Sequence, residues 1–317
     1  LGREGVICVN WRGGNKKMPD RKETIGFIGI GIMGKPMSIS LIKAGYPLIA
    51  YDINTKPLEE LKEMGAAVGR SSKDVAGQSD VIITMLPNSE DVEKAILGEN
   101  GVMEGIKGDS IVIDMSTIDP SVSRKISDTL LTKNIKMLDA PVSGGPEGAE
   151  AGTLSIMVGG PEDIFHKCED LFKAMGKNIF HCGPNGNGAI VKCVNNLLAG
   201  TMAVINAEAL AMGVKAGVDL KVLADIISVS TGRSVFLNNA APAKAFKGDY
   251  EPGFKVDLMH KDLGLAVTLA REQGVPLPVG ALSHQIFSQL KASGLGSKDW
   301  TITVKQYEDL LGIKLRY

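Results

Sequence analysis

The chain has 317 residues, 22 % of them charged, and a net charge of −1. That length accommodates two modest domains with a large buried core, and the charge balance excludes a strong pull toward nucleic acid or an anionic membrane. Neither is expected as a partner. The 38 glycines follow no collagen period and are read as marks of turns and close backbone approaches. Cys8, Cys168, Cys182 and Cys193 show neither disulfide spacing nor a zinc grid. No metal site is expected, and a cytoplasmic enzyme with reduced thiols is the simplest reading. No run of about eighteen apolar residues marks a membrane helix.

The first twenty residues, LGREGVICVNWRGGNKKMPD, do not open on Met and lack the long apolar centre of a secretory signal. An appended segment, a start misassigned upstream of Met18 and a floppy arm all remain open. Residues 1–22 are expected to be a disordered extension, and no function is assigned to them.

TIGFIGI, at 24–30, reads as a buried strand, and GIMGKPMSISLIKAG as a helix stopped at Gly45. YPLIAYD is a second strand ending at Asp52. A short helix through LEELKEM and a loop follow. SDVIITMLP is a strand closed by Pro87, SEDVEKAILG a helix, and DSIVIDMST a strand. PSVSRKISDTLLTKN is a helix with proline near its start. IKMLDAPV (135–142), TLSIMVGG (153–160) and NIFHCG (178–183) are further strands. Alternating strands and helices predict a largely parallel sheet covered on both faces.

The rhythm changes after Gly188. AIVKCVNNLLAGTMAVINAEALAMGVKAG is apolar almost all round and is expected to be a long helix buried on most sides. The remainder reads as helices. The predicted fold is an α/β Rossmann-type N-terminal domain and an all-helical C-terminal domain, joined by a long interdomain helix. Residues 23–186 form the first domain and 187–317 the second.

The sharpest motif is Gly29-Ile30-Gly31-Ile32-Met33-Gly34, which closes a strand and opens a helix. That is the setting a dinucleotide fingerprint needs. Gly29 allows the tight turn, Gly31 lets backbone approach the pyrophosphate, and Gly34 lets helix and strand pack. Ile32 and Met33 complete the loop. The helix N-terminus then offers unpaired N–H groups to the phosphates. Asp52 closes the next strand, where a carboxylate accepts the adenosine ribose hydroxyls and repels a 2′-phosphate. NAD(H) is favoured and NADP(H) stays open, because Lys56 follows. Leu86 and Pro87 are candidates to pack on cofactor rings, and Thr117 to hydrogen-bond near the nicotinamide. Both segments end strands at the carboxyl edge of the sheet.

None of His166, His181, His260 and His284 sits in a compelling acid–base context. Lys192, early in the long helix, has Asn196 four residues on and on the same face. Its ammonium either reaches water along its stem or points into an interdomain cleft. In a cleft, burial and a nearby cationic nicotinamide would lower its pKa and suit it to proton exchange. Asn196 would hold substrate or lysine. Ser143, Gly144 and Gly145 follow a strand and form either a carboxylate cradle or a tight turn. Lys261 and Asp262 are read as opening a later helix.

At this point the motifs resemble the β-hydroxyacid dehydrogenase family. FIGIGIMGKPM looks like its cofactor signature, DAPVSGGPEGAEAGTLSIMVGG its substrate signature, GNGAIVKCVNN its catalytic-helix signature, and KDLGLA its second-domain signature. The resemblance runs from Thr24 to about Gly312. It implies that Lys192 is the catalytic proton carrier with Asn196 beside it, that Ser143–Gly145 cradle the substrate, and that Lys261 lies by the cofactor. It also implies hydride transfer between nicotinamide and a substrate carbonyl carbon, a small hydroxy acid or semialdehyde acid as substrate, and a homo-oligomer, dimer or tetramer. MLPNSEDV and LGENGV look like the tartronate semialdehyde reductase branch, which is the preferred expectation. STGRS, KDLGLA and VPLP look like the 2-(hydroxymethyl)glutarate dehydrogenase branch. Arg233 would bind the distal carboxylate of a diacid, and Phe254 would wall the pocket on the cofactor side. 3-Hydroxyisobutyrate dehydrogenase and NADPH-dependent glyoxylate or succinic semialdehyde reductase rank behind these. A lysine-less scaffold of the same fold ranks last, because Lys192 is intact.

Overall fold

The computed structural model describes residues 22–317, so most of the expected N-terminal extension lies outside the described residues. The Lys22 ammonium donates to the Ala44 carbonyl and lies 4.4 Å from the centre of the Tyr46 ring. By their contacts, residues 22–116 and 121–188 form one compact unit, and Thr117–Pro120 with Ala189–Tyr317 form a second.

In the first unit, six parallel strands make the main sheet: β1 (Ile25–Ile28), β2 (Leu48–Tyr51), β3 (Ala67–Val68), β4 (Val81–Thr84), β5 (Ile111–Asp114) and β6 (Lys136–Asp139). Their spatial order is β3-β2-β1-β4-β5-β6, so the chain reverses direction across the sheet between β1 and β4. The crossovers are α1 (Gly34–Lys43), α2 (Lys56–Glu63), α3 (Ser72–Ala76), α4 (Ser89–Leu97), α5 (Val102–Gly105) and α6 (Pro120–Leu131). Strands of Ile, Val and Phe buried on both faces are what a doubly covered parallel sheet requires. The stretch expected as one loop after α2 contains both β3 and α3, whose N-cap Ser71 accepts from the Asp74 N–H.

The strand expected over 135–142 is broken. β6 stops at Asp139, and β7 (Val142–Ser143) belongs to a second sheet with β8 (Leu154–Val158) and β9 (Gly176–His181). Pro141 has no N–H to continue the ladder, and its carbonyl instead accepts from Met157 N. β7 runs antiparallel to β8, while β8 and β9 are parallel. Asp139 and Gly159 exchange backbone hydrogen bonds and so join the two sheets. The short helices α7 (Gly145–Glu150), α8 (Glu162–Lys167) and α9 (Glu169–Lys173) complete the unit.

The second unit is helical. α10 (Asn187–Lys215) leads into it, followed by α11 (Leu220–Ser228), α12 (Ala241–Ala243), α13 (Val256–Glu272), α14 (Pro278–Leu290) and α15 (Thr303–Leu311). A π-helical turn at Phe236–Ala240 precedes α12, and a 3-10 turn at Ala245–Lys247 follows it. The sequence predicts α10 to be buried on most sides, and it is not. Ala203, Ala207, Leu210 and Ala211 enter the core of this unit. Val191, Leu198, Ile205 and Met212 are exposed, Met212 by 72 %. An all-round apolar composition carries no sign of which face is packed. By length and apolarity α10 also passes for a membrane span, yet its packed face is the core of a globular unit.

Candidate active site

In the first unit, the glycine loop joins β1 to α1 beside the point where the strand order reverses, which is where open α/β sheets bind ligands. Gly29 has φ +97°, and a Cβ there would lie 2.3 Å from the Met85 carbonyl. A Cβ on Gly34 would lie 1.9 Å from the Gly29 carbonyl. Gly31 faces open space, and a Cβ added there would meet nothing within 4 Å. Ile32 is 58 % exposed, and no side chain caps α1 at Met33. An open backbone at an uncapped helix N-terminus fits a pyrophosphate.

Asp52 has a second job. Its Oδ2 accepts from Ile30 N at 2.6 Å, and its Oδ1 accepts from Asn54 N at 2.7 Å. The acid thus clamps the glycine loop to the end of β2. Each oxygen keeps lone-pair capacity for a ribose hydroxyl. Lys56 is exposed, its N–H bonded to Asn54 Oδ1 at 3.2 Å.

The tips after β4 and β5 are held by a buried polar chain. Thr84 Oγ1 donates to Asp114 Oδ1 at 2.7 Å, and Ser116 N donates to the same oxygen at 3.2 Å. Ser116 Oγ accepts from Leu86 N at 2.8 Å. Burial pushes the Asp114 carboxyl up to about 6, and the Asp139 charge adds to this, while hydrogen bonds from Ser116 and Thr84 oppose it. Leu86 and Pro87 therefore sit on a fixed tip. Ser143 ends β7, and Gly144 and Gly145 follow with φ of +135° and +65°. Only glycine adopts that pair without strain.

In the second unit, one face of α10 and the second turn of α13 meet. Lys192 is only 8 % exposed. Burial holds its pKa below the ordinary lysine value of 10.5; Asp262 opposes that shift and Lys261 reinforces it. Asn196 Nδ2 donates to Asp262 Oδ2 at 2.6 Å, and Asn196 Oδ1 accepts from Asn195 at 2.9 Å. The Asn196 amide is thus oriented by Asp262. Lys261 Nζ lies 3.1 Å from Asp262 Oδ1 and donates to the Thr117 carbonyl at 2.5 Å. The expectation that Lys261 and Asp262 open a helix is corrected, because α13 starts a full turn earlier at Val256.

Asp262 is the candidate site residue that sequence reasoning missed. Its signal was present: Val256, Met259, Leu263 and Ala266 mark the buried face of α13, and Asp262 falls among them. An acid on a core stripe needs a partner. Thr84, Asp114 and Ser116 were also passed over, although an acid closing the apolar run IVID carries the same signal.

Other candidates lie elsewhere. Arg233 is exposed on the turn after α11, where its N–H donates to the Ser230 carbonyl. Phe254 meets Trp300 edge-on at 6.5 Å and packs against the core of its unit. His260 stacks on His284 at 4.5 Å, and burial lowers both pKa values. His181 Nε2 bonds to the Gly160 carbonyl, and its ring stacks on Phe165.

A glycine loop that fits a dinucleotide and a buried lysine are features that a nicotinamide-dependent oxidoreductase needs. Comparison with known proteins agrees. Residues 24–183 match the family described as the NAD binding domain of 6-phosphogluconate dehydrogenase. Residues 186–307 match the NAD-binding domain of NADP-dependent 3-hydroxyisobutyrate dehydrogenase. The 2-(hydroxymethyl)glutarate dehydrogenase of Eubacterium barkeri is 42 % identical, over 92 % of this chain and 97 % of that protein. The mitochondrial 3-hydroxyisobutyrate dehydrogenase of Mus musculus is 40 % identical, over 90 % of this chain and 87 % of that protein. The structure of Mycobacterium tuberculosis 3-hydroxyisobutyrate dehydrogenase with L-serine superposes with a TM-score of 0.82 at 32 % identity, covering 90 % of this chain and 98 % of that one. The chain belongs to the 3-hydroxyisobutyrate dehydrogenase-like family.

Proposed function

We propose that this enzyme interconverts a short β-hydroxy acid and its semialdehyde, using NAD(H) in preference to NADP(H). The observation that carries the reading is Lys192: a lysine buried to 8 % exposure on α10, with Asn196 one turn further on the same helix and Asp262 of α13 holding the Asn196 amide. The nicotinamide, when bound, supplies or takes the hydride. Lys192 then gives its proton to the carbonyl oxygen during reduction, or takes one from the hydroxyl during oxidation. Asp262 keeps its pKa from falling too far and orients Asn196. Gly31 and the N-terminus of α1 hold the pyrophosphate, and Ser143, Gly144 and Gly145 the substrate carboxylate. A homo-oligomer remains part of the proposal, supported by the exposed apolar stripe of α10.

For the substrate, the relatives favour 2-(hydroxymethyl)glutarate, with 3-hydroxyisobutyrate second, over the tartronate semialdehyde expected from MLPNSEDV. Both are β-hydroxy acids with a primary alcohol, and they differ in the arm beyond the reacting carbons. A steady-state panel with both cofactors tests this, using 2-formylglutarate, methylmalonate semialdehyde, tartronate semialdehyde, succinate semialdehyde and glyoxylate. One methylene discriminates by about 1–3 kcal/mol, so kcat/KM should lead by about tenfold or more with 2-formylglutarate. A lead for tartronate semialdehyde would move the assignment to that branch, and turnover of none of them sinks the substrate class.

Cofactor choice has its own test. Asp52→Ala should weaken NADH binding by about tenfold or more, the scale of a lost charge-assisted hydrogen bond. NADPH binding should weaken less, because the loss of the loop clamp is shared while the repulsion of the 2′-phosphate is relieved. Equal losses would remove ribose recognition from Asp52 and leave it the clamp alone.

A further inference from the structure

The Asp139 carboxylate has no part in the chemistry above, yet it occupies a costly place. It is 1 % exposed, and it closes β6 in register with Asp114, a second buried acid one strand away. Burying a carboxylate beside another raises the cost of its charge. A serine or asparagine would cap a helix at that point without this cost.

What Asp139 faces is the start of α10. Its Oδ1 accepts from Gly186 N at 2.7 Å. A Cβ on Gly159 would lie 2.6 Å from Oδ1, and one on Gly188 would lie 2.9 Å from Oδ2 and 2.2 Å from the Met157 carbonyl. Glycine is therefore required on both sides so that the first turn can close on the carboxylate. The neighbouring anchors are of other kinds: Asn185 Nδ2 donates to the Met137 carbonyl and Asn187 Nδ2 to the Cys182 carbonyl, each at 2.8 Å, and Arg124 Nε donates to the Asn185 carbonyl at 3.2 Å. Asp139 is the acid among these anchors, and it meets the positive end of a helix of 29 residues. Lys192 follows on the same helix, one turn after Gly188. The same acid is the first residue of DAPVSGG, the segment that leads into Ser143.

We propose that Asp139 is a positioning residue for the proton-transfer lysine: its carboxylate fixes the first turn of α10 and thereby the register at which Lys192 is presented. The role rests on the reading of Lys192 given under Proposed function. It also ties GNGAIVK to DAPVSGG, since the Gly186 N–H donates to the Asp139 carboxylate and Gly188 closes against the Met157 and Asp139 carbonyls as well as that carboxylate.

The test uses the full chain with Asp139→Asn and Asp139→Ala. Amide hydrogen exchange is followed by mass spectrometry, alongside NADH affinity, kcat, KM and the pH profile. Asparagine keeps the shape but turns one acceptor into a donor against the first turn, so its effect should fall between wild type and alanine. Exchange should quicken over residues 186–196 and stay unchanged in β1, β2 and β4. Turnover should fall by up to about 100-fold, the scale of an ångström-sized misplacement, with NADH affinity unchanged. The break in the pH profile should move toward the ordinary lysine value as the helix loosens around Lys192. Unchanged exchange over 186–196, a rise spread evenly over the first unit, or failure of Asp139→Asn to fold would overturn the proposal. The exchange measurement needs no substrate. If wild type turns over no hydroxy acid, the proposed reaction fails while the role of Asp139 in holding α10 is still decided.

Discussion

Lys192→Ala should lower kcat by about 10²–10⁴-fold, the usual contribution of a positioned acid or base, while NADH still binds. The lysine lies among Asp262, Lys261 and Asn196, and burial has already lowered its pKa. The direction of the pH effect follows. Reduction needs the ammonium, so its rate should fall as pH rises through the lowered pKa, which lies below 10.5. Oxidation needs the neutral amine, so it should gain over the same window. Arginine cannot release its proton in this range, and Lys192→Arg should erase the break. Near-normal turnover by a folded Lys192→Ala protein would remove the proton role, and an unchanged break in Lys192→Arg would assign the titration to another group.

Gly34→Ala should abolish dinucleotide binding and cost stability together. The new methyl carbon would meet the Gly29 carbonyl at 1.9 Å, and Gly29 cannot retreat because it abuts the Met85 carbonyl. Overpacking of this kind costs about 1–3 kcal/mol or more, so Tm should fall by several degrees. Gly31→Ala separates the two effects. Space surrounds that position, so the fold should melt normally while NADH affinity drops, because the methyl occupies the path of the pyrophosphate. Melting curves and NADH titrations on both variants check this. Normal NADH affinity in Gly31→Ala would mean that the pyrophosphate does not approach there.

The N-terminal half is easy to read because local signals and packing agree. IGFI, LIAY, VIIT and IVID are short apolar runs that fit only buried strands, and GIGIMG falls between a strand and a helix. The break at Pro141 can be placed only once β7 has found a partner in β8. α10 is readable as a helix but not as a face, since its apolar residues encircle it. Thr117–Pro120, which ends a strand run, gathers with the helical unit, and no periodicity announces that. Among site residues, Lys192 is ambiguous between snorkelling and burial until its exposure is known. Asp262 is hidden because an acid after a lysine looks like a solvated pair, whereas here it is buried and orients Asn196.

Asp52 sets a condition on redesign of cofactor preference. Its two oxygens already tie Ile30 and Asn54 into the loop. An alanine introduced to admit a 2′-phosphate would release both backbone donors at once, and an asparagine would keep an acceptor for one of them only. Preference and loop shape therefore cannot be exchanged one at a time. A working conversion would need a replacement acceptor for the Ile30 N–H before any arginine is added for the phosphate, and variants built in the opposite order should lose both cofactors.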